Sequence, residues 1–216
     1  MSDPKSLLAE EIHAAADHMS AREIAPETLT EAHLLVARAN ELLSTGKLWT
    51  EEERLIRFAS QMVVPLGAPI IADGAAFEAF TESPYSGKHN PMRPPLAVCR
   101  RGGDEVHADV LVGPALEGAP GRAHGGLTAA VFDDIMGATQ RITGLSGYTR
   151  TLTVTYRAKL PIDEVVHFIA ELVDKDDRTF TIDAKALHEG TTVATARAVF
   201  TSVRFDTFEP PEDKTR

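Results

Sequence analysis

At 216 residues with 43% hydrophobic side chains, the chain is long enough for one well-buried core and an appendage but short for two full enzymatic domains. Its 32 acidic against 22 basic side chains leave a formal charge of -10, and no stretch is basic enough to track a phosphate backbone, which argues against nucleic acid as a partner. The single cysteine, Cys99, excludes an intrachain disulfide and a cysteine-rich metal centre and suits a reducing compartment.

The opening MSDPKSLLAEE acquires charge too soon for a secretory signal, and no run of about 18 apolar residues marks a membrane span, so a cytoplasmic protein with no membrane span is expected. Residues 1–64 read as a helical N-terminal extension: an amphipathic segment from Ser6 to about Met19, a second from Thr30 to Leu43 before Gly46, and a capping box at Thr50-Glu51-Glu52-Glu53 ahead of Leu55, Ile56, Phe58 and Ala59. His13, His18 and His33 share no metal-binding helical spacing and read as surface residues. Residues 65–95 turn to Pro, Gly, Ser and Asn, as in Ser83-Pro84-Tyr85-Ser86-Gly87, and read as a connecting loop that serves as lid, substrate wall or plain connector.

From Leu96 the period changes to two. Strands are expected at 96–100 and 105–112, then a helix at 125 to about 140, then strands at 148–158, 165–173, 179–187 and 192–203; residues 96–205 form the main domain and 206–216 a disordered tail. Short links between the last four strands argue for an antiparallel sheet. The helix carries Leu127, Ala129, Ala130, Val131, Phe132, Ile135, Met136 and Ala138 almost all the way round, so a strongly curved sheet must cover it. Leu152, Val154, Tyr156 and Ala158 are expected on the inner face, with Phe180, Ile182, Ala184 and Ala186, and with Ala194, Ala196, Ala198 and Phe200. Thr153, Thr155, Thr181, Asp183, Lys185, Thr195 and Arg197 are expected outside.

The run from His124 to Asp134, HGGLTAAVFDD, carries the chemistry. Two glycines at the mouth of a buried helix expose backbone N–H groups and the positive end of the helix dipole, a site fit for a carbonyl oxygen. Asp133 adds a carboxylate able to attack that carbonyl or to take a proton from water. Asp134 reads as a capping, hydrogen-bonded or solvent-facing residue. Asp133 follows Gly125 by eight positions, about 12 Å along one helix, so a carbonyl held on the Gly125 amide lies beyond easy reach of the same chain's carboxylate. Two antiparallel helices, each lending its amino end to the other's Asp133, would solve this, and a homodimer with a shared site is expected.

The stretch Gly113-Pro114-Ala115-Leu116-Glu117-Gly118-Ala119-Pro120-Gly121-Arg122-Ala123-His124-Gly125-Gly126, with Asp133 nine residues after the histidine and Gly137 four later, resembles the HGG motif of hot-dog-fold acyl-CoA thioesterases of the PaaI-like superfamily. It is also similar to the mitochondrial long-chain acyl-CoA thioesterases; downstream, Thr149 to Arg157 with Leu160-Pro161 resembles the family's next strand and Ala194 to Phe200 its last, so the likeness covers about residues 83–204. The resemblance implies an α+β hot-dog fold, a curved antiparallel sheet wrapped around one central helix, here with a helical N-terminal extension. It implies hydrolysis of an acyl-CoA thioester to free acid and CoA, with Asp133 as general base or nucleophile. A glycine amide, Gly125 first and Gly126 second, would polarise the carbonyl, and His124 would shape the turn or contact the thioester. A hydroxyl, Thr149 or else Thr151, would position water or the carboxylate. Many small-substrate relatives carry an Asn before HGG where this loop has Leu116-Glu117-Gly118. The expected partners are the acyl-CoA substrate and a second copy of the chain, as a dimer or a dimer of dimers. No cofactor or metal is implied, since CoA enters as part of the substrate. Arg150, Arg157, Lys159, Lys175 and Arg178 are candidates for meeting its phosphates. Two other readings remain: an acyl-CoA-binding hot-dog module without catalysis, and a hot-dog enoyl-CoA hydratase or dehydratase.

Overall fold

A computed structural model of the chain describes residues 3–62, 71–77, 81–94 and 96–203; the tail expected at 206–216 and the parts of the connecting segment at 65–70, 78–80 and 95 lie outside the described residues. Asp3 opens α1 (Pro4–Ala21) by accepting the Lys5 amide at 3.3 Å, with Pro4 in the first turn where a missing N–H is harmless. A proline also starts α2 (Pro26–Ser44). Thr50 and Glu53 close the expected capping box on α3 (Glu51–Met62): the Glu53 amide donates to Thr50 Oγ1 at 3.1 Å and the Thr50 amide to Glu53 Oε2 at 2.8 Å. No helix among the described residues is long and apolar enough to cross a membrane.

The extension departs from expectation in which side chains it buries. α1 turns Ser6, Ala9 and His13 inward, while Leu7, Leu8 and Ile12 are exposed; α2 buries none of its residues. His13 is therefore no surface residue: it is 7% exposed, because its ring is seated between Pro91 and Asp17. His18 and His33 are exposed, as expected.

The alternating stretches form one seven-stranded sheet: β1 (Ala76–Phe77), β2 (Leu96–Gly102), β3 (Glu105–Leu111), β4 (Gly147–Tyr156), β5 (Val165–Lys175), β6 (Thr179–His188) and β7 (Thr191–Ser202). Their order is β1-β2-β3-β5-β6-β7-β4, with every neighbouring pair antiparallel. Two features differ from the sequence reading. β1 lies within the segment read as loop and pairs Ala76 with Arg100 and Phe77 with Cys99 on β2. The link from β4 to β5 is no hairpin: β4 pairs with β7 at the far edge while β5 pairs with β3.

Between β3 and β4, α4 (Gly125–Ala138) crosses the inner face and touches β3 through β7, followed by a single turn, α5 (Gln140–Thr143). Phe132 is fully buried and meets Phe168 of β5 edge-on, ring centres 5.0 Å apart; Phe180 and Phe200, paired across β6 and β7, stack at 5.0 Å. The alanines at 194, 196 and 198 of β7 are buried, as a close helix approach requires. On the outer face Arg197 donates two hydrogen bonds of 2.6 Å to Asp183. This is the curved sheet around one helix that the hot-dog resemblance implies.

Candidate active site

His124 precedes α4 in extended conformation (φ -61°, ψ 134°) and its Nδ1 accepts the Gly126 amide at 3.1 Å, so the imidazole serves as an unusual N-cap. A nitrogen accepting there places the neutral ring's proton on Nε2. This bond also sorts the two candidate glycines. The Gly126 N–H is spent on His124, whereas the Gly125 N–H has no partner among the described residues. His124, Gly125 and Gly126 are all exposed, so the amino end of the buried helix opens to solvent.

Tyr156 reaches this end from the last residue of β4, donating its hydroxyl to the Gly125 carbonyl at 2.6 Å. Alternation places Tyr156 inward, but it is 53% exposed, and Ala158, beyond the end of the strand, is exposed too. The missed signal is chemical: a tyrosine at the inward position of a strand end needs a partner for its hydroxyl. Tyr156, Gly125, Thr128, Arg122 and Lys159 line a cleft of about 220 Å³. Of the basic candidates, Lys159 thus borders the open amide, Lys175 lines a separate hollow beside Asp176, and Arg150, Arg157 and Arg178 are simply exposed.

Asp133 sits two turns into the same helix and accepts a 2.8 Å hydrogen bond from Thr149 Oγ1. A β-bulge makes that contact: the β4–β7 register slips between Thr149 and Thr151, pairing Thr149 with buried Phe200 but Thr151 with Val199. Opposed residues point to the same side, so Thr149 turns toward α4 while Thr151 stays with Thr153 and Thr155 on the outer face. Of the two candidate threonines, the structure brings Thr149 and not Thr151 to Asp133.

Asp134 faces the 81–94 segment instead of a solvent gap. Its Oδ1 accepts from Ser83 Oγ, and the Ser86 hydroxyl and backbone N–H both approach the same carboxyl, yet Asp134 Oδ2 and Ser86 Oγ are buried without a fully formed hydrogen bond. Burial raises its pKa above the usual Asp range, the neighbouring Asp133 charge adds to this, and the two serines oppose it. Sequence reasoning could not pair Asp134 with Ser83, 51 positions away on a loop. Burial also pushes the Cys99 thiol up to about 12, which makes it a poor nucleophile. Among the described residues no three His, Cys, Asp or Glu side chains converge to hold a metal ion.

Residues 120–197 match the family model of the thioesterase superfamily. The acyl-coenzyme A thioesterase THEM5 of Homo sapiens is 29% identical over 100 residues, 45% of this chain and 40% of that protein; its Mus musculus counterpart is 28% identical over 96 residues, 44% and 39% respectively. The chain thus spans about two fifths of the length of the curated relatives it matches. A crystal structure described as a thioesterase superfamily protein superposes with TM-score 0.74 over 93% of this chain and 92% of that one, at 19% identity, a likeness of fold that takes in the N-terminal helices. Residues 120–197 are thus similar to the thioesterase superfamily, and the chain has the hot-dog fold.

Proposed function

We propose that the protein is an acyl-CoA thioesterase whose site is shared between two copies of the chain. The observation that carries this reading is the pairing, on one helix, of an unengaged Gly125 amide at an open amino end with a carboxylate, Asp133, held by Thr149 two turns further on. The thioester carbonyl oxygen rests on the Gly125 N–H of one protomer, where the amide and the helix dipole stabilise the negative charge that develops as the carbon is attacked. Asp133 of the partner supplies the base. The Thr149 bond fixes one carboxylate oxygen and leaves the other to take a proton from water as the water oxygen bonds to the carbonyl carbon. Collapse of the oxyanion breaks the C–S bond, and the proton passes from the Asp133 carboxyl to the departing CoA thiolate. With Asp133 as nucleophile, the same oxygen bonds to the carbonyl carbon, the C–S bond breaks to release the CoA thiolate and leave a mixed anhydride, and water then opens it to the free acid and the Asp133 carboxylate, its proton passing to the thiolate. His124 keeps the Gly126 amide occupied and the turn in shape, while Lys159 and Arg122 at the cleft offer cations for the CoA phosphates. The family match and the named function of the curated relatives support this reading over a hydratase.

The test is thiol release across a panel of acyl-CoAs of graded chain length, with Asp133→Asn alongside. The wild type should turn over at least one chain length, and the variant should lose about 100-fold or more in kcat. Tight binding with no release from any member would establish the binding module instead. Single turnover in labelled water tests the nucleophile role of Asp133: label entering the enzyme's carboxylate marks a mixed anhydride opened by water at the Asp133 carbonyl.

A further inference from the structure

The N-terminal helix reaches the oxyanion turn through a short chain of polar contacts. Ser6, Ala9, His13 and Asp17 follow one another at helical spacing and form the face that α1 presents to the domain. His13 Nδ1 donates to the Pro91 carbonyl at 3.0 Å, while its Nε2 lies 3.1 Å from Asp17 Oδ2 without a formed hydrogen bond. The other Asp17 oxygen accepts the Ala115 amide at 2.9 Å. Ala115 belongs to the 3-10 turn Pro114–Leu116, and the next carbonyl along, that of Leu116, accepts the His124 amide at 3.0 Å. The bond that Asp17 makes and the bond that holds His124, the cap of α4, therefore fall on adjacent residues. Gly113 shows how tightly the carboxylate is seated: a Cβ at that position would stand 2.6 Å from Asp17 Oδ1 and collide with the whole group.

We infer that Asp17 is a positioning residue that sets the Gly125 amide through the 113–124 loop, so that the N-terminal extension tunes transition-state stabilisation in the proposed thioesterase. Asp17 touches no substrate. Without its bond to Ala115 the turn can slide against α1, and a displacement of about 1 Å at the oxyanion donor is enough for a loss near 100-fold in rate.

The test reads the turn itself as well as the reaction, because the inference rests on the function proposed above. Amide hydrogen exchange over residues 113–128 and acyl-CoA kinetics are measured for the wild type, Asp17→Ala, Asp17→Asn, Gly113→Ala and the Asp17→Ala/Gly113→Ala pair. Asp17→Ala and Gly113→Ala should each speed exchange in the turn and lower kcat by about 10- to 100-fold with KM within about twofold. The double variant should be no worse than either single one, since the collision at 113 disappears with the carboxylate. Asp17→Asn keeps an acceptor for Ala115 and should hold the turn near wild-type protection. Wild-type exchange and kcat in both single variants, or Asp17→Asn indistinguishable from Asp17→Ala, overturns the inference. If the wild type hydrolyses no thioester, the functional reading falls, while the exchange pattern still decides whether Asp17 holds the turn.

Discussion

Asp134 shows how finely one residue step divides roles on a helix. Asp133 meets a bulged strand and partial solvent, whereas Asp134 is pressed against Ser83 and Ser86 with one carboxyl oxygen unsatisfied beside an unsatisfied hydroxyl. A pKa raised by folding means that the folded protein holds the proton more tightly than the unfolded chain. The stability tied to that proton is complete below the ordinary Asp value of about 3.9 and is lost as pH rises through the elevated folded value. Asp134→Asn removes the titration, keeps an oxygen for Ser83 and brings an N–H to offer Ser86 Oγ. The variant should gain about 1–3 kcal/mol at pH 8, a rise in Tm of roughly 2–12 °C for a chain of this size, and the gain should shrink toward pH 4. Thermal unfolding at the two pH values checks this. An asparagine variant less stable than wild type at pH 8 would show that the carboxylate is ionised and needed.

At the scale of elements, legibility followed the number of residues that share a pattern. β3 through β7 were readable because five or more alternating side chains in each repeat one message, and α4 because nearly every face is apolar. The two-residue β1 has no period to read, and the far-edge placement of β4 depends on pairing partners that local spacing does not name. Asp133, His124 and Gly125 announced themselves through spacing along one helix; Tyr156, Asp17 and the serines facing Asp134 did not, since each meets the site from a distant segment. The Thr149 bulge is a slip of one residue invisible to alternation, yet it decides which threonine reaches Asp133. The grip of the sheet on α4 can be tested at Phe132, which is wholly buried edge-on to Phe168. Phe132→Ala should lower unfolding stability by about 3–5 kcal/mol, read as a fall in the urea midpoint with an unchanged slope. A loss under about 1 kcal/mol would mean that the helix is held elsewhere.

For the whole molecule the decisive question is whether one chain can complete a site. Gly125 and Asp133 lie on a single helix, about 12 Å apart along its axis, so they cannot serve one carbonyl unless two helices run side by side. The backbone offers a clean way to delete the proposed oxyanion donor alone. Gly125 is the first residue of α4, where proline is well tolerated, and His124 already holds the extended conformation that a following proline demands. A Cβ at 125 makes only ordinary contact with Tyr156, 3.6 Å from its hydroxyl. Gly125→Pro should therefore fold like the wild type and lose about 100-fold or more in kcat, as should Asp133→Asn. Unfolded and refolded together in equal amounts, the two inactive proteins should recover activity. About half of the random dimers would be mixed, each mixed dimer would hold one intact site of two, and the rate would return to about one quarter of wild type. Recovery at that level requires a shared site; none, with mixed dimers verified by mass, would return each site to a single chain and refute the proposed mechanism.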